Sequence, residues 1–405
     1  MKPIRLIELF AGYGSQHLAL PEAESWRIAE WAVKSCEAYN DLHIRDYTDY
    51  SEGLTKTELI NDLIKRGISL DWKTPATYEK LKKLNIEKLK KIRNDIIATH
   101  NLVDVSKIHA SDLNICETDK YDYILTCSSP CQNLSIAGDM AGMAEGSGTC
   151  SSLIWEIVRI LNECENLPHY LVFENVVGLQ QQPQFNDLLF RLSKIGYQLY
   201  FKNLQASDYG IPQSRKRTFI VGILNKFNAP IGDVNKLDSQ TLLPSVYIFP
   251  QPLNKNATTT LKTYLEPNSS VDDKYYMSPK MLNYMLGDTQ GVGSYNRREV
   301  FLRNYPSRDI AGTITCAAGQ RPTDNFIFEP INESTRIREG KAIYNNCYIR
   351  KLTPLEIARL MGLTDKQFYL IAANKNDAIL YHLFGDSIVV KLLHVILNTI
   401  VFNRG

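Results

Sequence analysis

Residues 3–15 read PIRLIELFAGYGS. A short apolar run ends at a turn holding Gly12 and Gly14, and a helical pattern follows. Glycine permits a tight turn and a close approach of the backbone to a ligand. One glycine turn is weak evidence, because any strand-to-helix turn can carry it, so its meaning depends on the stretches around it. WRIAEW (26–31) reads as a second strand. YDYILTC (121–127), YLVFE (170–174), QLYFKNL (198–204) and TFIVGIL (218–224) read as further buried strands. Helical patterns such as LIWEIVRILNEC (153–164) and FNDLLFRLSKI (185–195) lie between them. Strand alternating with helix predicts an α/β domain with a largely parallel sheet. Ligands then bind at the carboxyl ends of the strands.

Two stretches break the rhythm. Residues 45–105 exceed what a strand–helix–strand step needs, about 30 residues. Within them TYEKLKKLNIEKLKKIRNDII places Leu81, Leu84, Leu89, Ile92 and Ile96 on one face, with lysines elsewhere. The spacing predicts an amphipathic helix packed on the core; an arm for DNA or another partner is the alternative. Residues 226–345 are rich in Asn, Thr, Ser, Pro and Tyr with weak periodicity, and read as a separate, loop-rich small domain. The expected division is therefore 1–225 with 346–405, and 226–345.

Composition narrows the class. The 405 residues, 44% hydrophobic, are ample for a large core. Forty-six basic side chains nearly balance 44 acidic ones, so a phosphate-binding surface must be a local patch. The eight cysteines are scattered without a CxxC pair, which predicts a reduced cytoplasmic protein and no metal site. The start runs straight into a strand pattern, so no signal peptide is expected. The most apolar tract, 388–402, contains Lys391, His394 and Asn398 and is expected to be a core helix, with no membrane partner.

Chemistry-bearing residues fall at the strand ends. Glu30 can take both hydroxyls of a ribose, Trp31 offers a flat face to an adenine, and Asp112 can accept from its amino group. GxxxxGK[ST] and the third glycine of a dinucleotide fingerprint are both missing, which favours a nucleoside without phosphates. Cys131, in CSSPCQNLSIAG, follows a strand and a proline and is a candidate nucleophile. Alone it could as well be a buried structural cysteine, the reading that suits Cys127. Glu174 in FENV can hold a proton in apolar surroundings. Gln213, Arg215 and Arg217 alternate, so an extended chain would aim them at one face. Two arginines there can grip a carbonyl oxygen, carboxylate or phosphate, or form a solvated basic strand edge.

The ordered set FAGYG, EW, Asp112, PCQNLS, FENV, QSRKR, RKLTPLE and GDSIVV resembles the DNA cytosine-C5 methyltransferases, across nearly the whole chain outside 45–105 and 226–345. The resemblance implies a Rossmann-like sheet and S-adenosylmethionine (SAM) as cofactor, giving S-adenosylhomocysteine (SAH). SAM would contact Phe10, Gly12, Gly14, Glu30, Trp31, Asp112, Leu113, Pro130, Leu153, Asp386 and Ser387. Cys131 would attack C6 of a flipped cytosine, Glu174 would hold its N3/N4 edge, Arg217 its O2, and Arg215 would sit near O2 and the backbone phosphate. Gln132, Ser135, Arg215, Thr313 and Ile314 would meet DNA, with 226–345 as target recognition domain and 132–150 as a closing loop. Expected partners are double-stranded DNA and a separately acting restriction endonuclease, in a restriction-modification or phage anti-restriction setting; a monomer is expected. The alternatives are an RNA cytosine methyltransferase and a catalytically silent DNA-binding homologue. Two departures stand out: GDS where the family commonly has GNS, and Cys150-Ser151-Ser152-Leu153 where an arginine usually precedes the serines.

Overall fold

In a computed structural model that describes residues 2–131, 134, 142–225, 247–253, 259–287, 297–318 and 325–402, the chain divides into two compact units. The first is Met1–Leu204, Lys216–Gln251 and Leu392–Gly405; the second is Gln205–Arg215 and Pro252–Lys391. Residues 346–391, grouped in the sequence reading with the first half, thus pack with the second unit.

The first unit is built on β1 (Ile4–Leu9), β2 (Glu24–Ala29), β3 (Asp122–Cys127), β4 (Tyr170–Val176), β5 (Tyr197–Gln205) and β7 (Lys216–Leu224), with β6 (Gln213–Ser214) between the last two in sequence. The sheet order is β2-β1-β3-β4-β7-β5. β1 is parallel to β2 and β3, and β3 to β4, whereas β7 runs antiparallel to β4. β1 is buried along all six residues because strands flank it on both sides and layers cover both faces. Strand order reverses about β1, so the crevice at the carboxyl ends of β1 and β3 is where such a sheet accepts a ligand. This is the mostly parallel α/β sheet that the sequence predicts.

The extra stretch 45–105 is helical, as its spacing predicts, but not one helix. Tyr78–Lys82 and Ile86–Ala98 are separate, and Asn85 caps the second by accepting from Lys88 N at 2.8 Å. Leu81, Leu89, Ile92 and Ile96 join Val33 and Cys36 in a core of their own. The insert is also stitched to the sheet edge: Leu102 N donates to Ile28 O (2.8 Å), and Ser69 N to Trp31 O (2.7 Å).

In the second unit β6 pairs in parallel with β8 (Ala311–Gly312), and β9 (Phe326–Pro330), β10 (Ile343–Tyr344) and β11 (Cys347–Lys351) form an antiparallel sheet. Asn345 and Asn346, both at positive φ, make the tight β10–β11 turn. Met277, Leu282, Phe301, Phe326, Phe328 and Ile349 pack beneath it. Thr353 caps the helix Pro354–Met361 through a capping box with Glu356. The apolar tract near the C-terminus is the helix Val390–Phe402, whose residues from Leu392 on belong to the first unit; its apolar character matches its burial, with Leu392, Leu393, Ile396, Leu397 and Ile400 all inside.

Candidate active site

The turn after β1 is strained where a ligand would approach. Phe10, a non-glycine residue, has φ 59°, and Gly12 and Gly14 also lie at positive φ. The two glycines serve different ends. A Cβ on Gly12 would meet nothing within 4 Å, leaving the backbone open to a ligand. A Cβ on Gly14 would lie 2.4 Å from His43 Nε2 and 2.6 Å from Tyr39 Cε2, so that glycine is required by packing.

Glu30 follows β2 and is fixed on both oxygens: Gly12 N donates to Oε2 (2.9 Å) and Ala32 N to Oε1 (2.7 Å). A carboxylate has about four acceptor positions, so one held in this way can also take a diol's hydroxyls. Asn101, from the insert, positions Glu30 by donating to its carbonyl (2.8 Å) and accepting from its N–H (3.0 Å). Trp31 is half-buried against the insert's core. Asp112 is exposed and accepts from His109 N at 2.8 Å. Leu113 is fully buried, so in this conformation its side chain offers no surface to a cofactor. Leu153 is half-buried at the end of the helical turn Cys150–Leu153.

The segment after β3 carries Pro130 and Cys131 and is clamped by neighbours. Asn175 Nδ2 donates to both the carbonyl and the Oγ of Ser129 (3.1 Å each), and Ser151 Oγ donates to Pro130 O (2.9 Å). Leu134 N donates to Cys131 O (3.0 Å). Gly178 makes room for that turn, since a Cβ there would stand 2.2 Å from Leu134 O. Cys131 is half-buried. Cys127, inside β3, is fully buried and its thiol is pushed up to about 12, chiefly by burial, in keeping with a structural cysteine. Gln132 and Ser135 lie outside the described residues. Of the expected closing loop, 134 and 142–150 are described: Met143 is buried and its carbonyl accepts from Trp155 Nε1 (2.7 Å).

β4 runs on to Val176, so Glu174 and Asn175 lie within the strand rather than after it. In the antiparallel register Val176 faces Arg217 and Glu174 faces Phe219. Arg217 therefore shares a sheet face with Glu174, and its Nε lies 3.1 Å from Glu174 Oε1, both side chains largely buried. Arg215 departs from expectation. It follows β6, which pairs with β8 in the second unit, whereas Arg217 stands in β7 of the first. Its buried guanidinium donates to main-chain oxygens of Ile314 (2.7 Å) and Ser387 (2.6 Å). Thr313 is exposed and donates through Oγ1 to Ser214 O (2.5 Å), whereas Ile314 is buried. Asp386 is exposed and Ser387 half-buried just after the helix Asp377–Gly385.

Sequence reasoning missed Asn175, Ser151, Gly178 and Asn101. For Asn175 a signal existed, an amide side chain directly beside the candidate carboxylate. Asn101 has none, because its partner is 71 positions away.

A mostly parallel sheet, a strained glycine turn and a cysteine turn beside a carboxylate–arginine pair define a SAM-dependent methyltransferase. The profile of the C-5 cytosine-specific DNA methylases matches residues 67–401. The type II methyltransferase M2.ScrFI of Lactococcus lactis subsp. cremoris is 31% identical over 96% of this chain and 97% of its own length. The orphan methyltransferase M.SssI of Spiroplasma monobiae is 31% identical over 67% of this chain and 72% of its own. The crystal structure of S. pombe Dnmt2 methyltransferase aligns with TM-score 0.59 at 19% identity, covering 98% of both chains, a likeness of fold. The chain belongs to the C-5 cytosine-specific DNA methylase family and is a DNA cytosine-5-methyltransferase.

Proposed function

We propose that the protein methylates C5 of a cytosine flipped out of a specific double-stranded DNA sequence, through a covalent Cys131–C6 adduct, as the modification half of a restriction-modification or phage anti-restriction system. The supporting observation is the clamp that Asn175 and Ser151 place on the Cys131 turn, Asn175 standing next to Glu174, the partner of Arg217, on β4. The family, that of the C-5 cytosine-specific DNA methylases, favours DNA, and the type II relative favours a separate cognate endonuclease as partner.

Open space at Gly12 and the doubly held Glu30 carboxylate suit an adenosine moiety. Phe10, Gly12, Glu30, Trp31, Asp112, Pro130 and Leu153 would hold it, and Asp386 and Ser387 enter through the family motif. SAM supplies an electrophilic methyl on a sulfonium. The target atoms lie inside the base stack, so the nucleotide must be extruded at a cost of about a few kcal/mol. The Cys131 thiolate adds to C6, which makes C5 nucleophilic. Glu174 holds the N3/N4 edge and supplies a proton at N3; Arg217 binds O2 and keeps Glu174 oriented. Once C5 has taken the methyl, loss of the C5 proton to a base, departure of the Cys131 thiolate and return of the N3 proton to Glu174 restore the ring.

A duplex bearing 5-fluorocytosine cannot lose a C5 proton and traps the adduct. With SAM present, the wild type should form a denaturation-stable complex, and Cys131→Ala should form none while still binding SAH. A wild type that methylates normal DNA without being trapped would overturn the covalent route. Trapping on single-stranded RNA but not on duplex DNA would overturn the substrate.

A further inference from the structure

Arg215 holds two turns of the second unit with one guanidinium. Nη1 donates to Ile314 O (2.7 Å) and reaches Gly385 O (3.4 Å), and Nη2 donates to Ser387 O (2.6 Å). The turns also touch through their backbones: a Cβ on Gly385 would lie 2.1 Å from Thr315 O and 2.4 Å from Cys316 N. Behind Arg215, Gln213 is fully buried, donating to Leu360 O (3.1 Å) and accepting from Ile314 N (3.2 Å). The Ile314 turn thus has little freedom except through the guanidinium and the backbone it abuts. A guanidinium is a rigid plane with donors in fixed directions. One rigid plane thus bonds both the Ile314 carbonyl and the Ser387 carbonyl.

We infer that Arg215 is a positioning residue that couples these turns, so that a cofactor held at Asp386 and Ser387 strengthens the grip of Thr313 on duplex DNA. This rests on the proposed function for its two ligands, and it replaces a direct contact of Arg215 with base or phosphate. Such coupling is reciprocal, and typical factors run from about 5-fold to 150-fold.

The experiment measures affinity for duplex DNA carrying the methylated sequence, with and without SAH, in the wild type, Arg215→Met and Arg215→Lys. SAH should tighten DNA binding by the wild type about tenfold. The factor should fall close to one in Arg215→Met and be partly retained in Arg215→Lys, which keeps the charge but loses the fork. SAH affinity without DNA should change by less than about threefold, which separates lost coupling from general damage. An unchanged factor in Arg215→Met, or no tightening in the wild type, overturns the inference. A wild type that binds neither SAH nor DNA overturns instead the reading beneath it. Should Arg215→Met not fold, amide exchange in the wild type decides. SAH alone should slow exchange at Ile314–Cys316, and unchanged exchange there overturns the coupling.

Discussion

Each unit buries an ionisable side chain near its centre, and the two are handled oppositely. In the second unit Arg350, fully buried, faces two carboxylates: Glu356 takes Nη1 and Nη2 at 2.8 Å each, and Glu329 takes Nε. In the first unit Glu8, in the middle of β1, has no cation against it among the contacts that hold it. Tyr39 Oη donates to Oε1 (2.5 Å) and His17 N to Oε2 (3.1 Å). Burial pushes its carboxyl up to about 8, against the smaller opposing effect of those two donors. A matched charge stays charged inside a protein, whereas an unmatched acid stays protonated. The loop-rich unit, with a small apolar core, leans on a directional network that depends on all its members; the sheet unit tolerates a lone acid because its core is large.

Breaking the matched network should have the largest effect. Arg350→Met leaves Glu329 and Glu356 buried without their cation, and loss of one partner of a buried pair costs about 3–5 kcal/mol. Denaturant unfolding should show that loss, and limited proteolysis of the intact protein should cut within 326–391 before the sheet unit. A variant as stable as the wild type would show that the network does not hold this unit.

Glu8→Gln probes the other side. Glu8 has a folded pKa above its ordinary 4.5, so the folded state binds its proton more tightly than the unfolded state between pH 4.5 and 8. Its contribution is full at low pH and is lost as pH rises through that window. His43, buried and lowered to about 3, acts in reverse below pH 6.5, so the Glu8 effect is cleanest between pH 6.5 and 8. Over that interval the wild type should lose on the order of 1–2 kcal/mol relative to Glu8→Gln. Parallel stability curves for the two proteins would mean that Glu8 ionises freely in the fold.

Gly178→Ala tests a region held by close approach instead of charge. The added methyl must displace the Leu134 carbonyl and with it the Cys131 turn. Small misplacement of a reacting group costs about 10-fold to 100-fold in rate. We expect kcat to fall by that order with SAH affinity nearly unchanged; equal losses in both would point to general misfolding.

The smallest effect should come from adding a charge at the surface. Cys150 is exposed at the position where the family resemblance of the sequence implies an arginine. Arg159 is no substitute, since Glu156 and Glu163 (2.7 Å each) and the Ile108 carbonyl (2.8 Å) occupy it. Cys150→Arg should strengthen DNA binding and steepen the plot of log K against log salt by about 0.9, one phosphate contact. An unchanged slope would remove Cys150 from the phosphate-facing surface.

Much of this was legible in the chain. All six strands of the large sheet lie within a few residues of their apolar runs; the inner strands β1 and β3 are buried almost throughout and so have little choice but to be apolar. Glu30, Cys131 and Glu174 were legible because each stands at or beside a strand's carboxyl end, which local sequence marks. The capping side chain of Asn85 split one expected helix into two. The alternation of Gln213, Arg215 and Arg217 misled, because alternation gives one face only while one strand continues, and here the partner strand changes between them.

The sequence by itself determined the sheet, its ligand-binding end and the family, since periodicity and strand-end motifs are local and survive without knowledge of distant contacts. Only the tertiary structure decided that Gly12 faces open space while Gly14 packs on His43 and Tyr39, that Asn101 reaches back to Glu30, and that Arg215 holds Ile314 and Ser387. Those are pairings between residues tens to hundreds of positions apart, and a hydrogen bond depends on where two groups meet in space, which no local pattern of either one encodes.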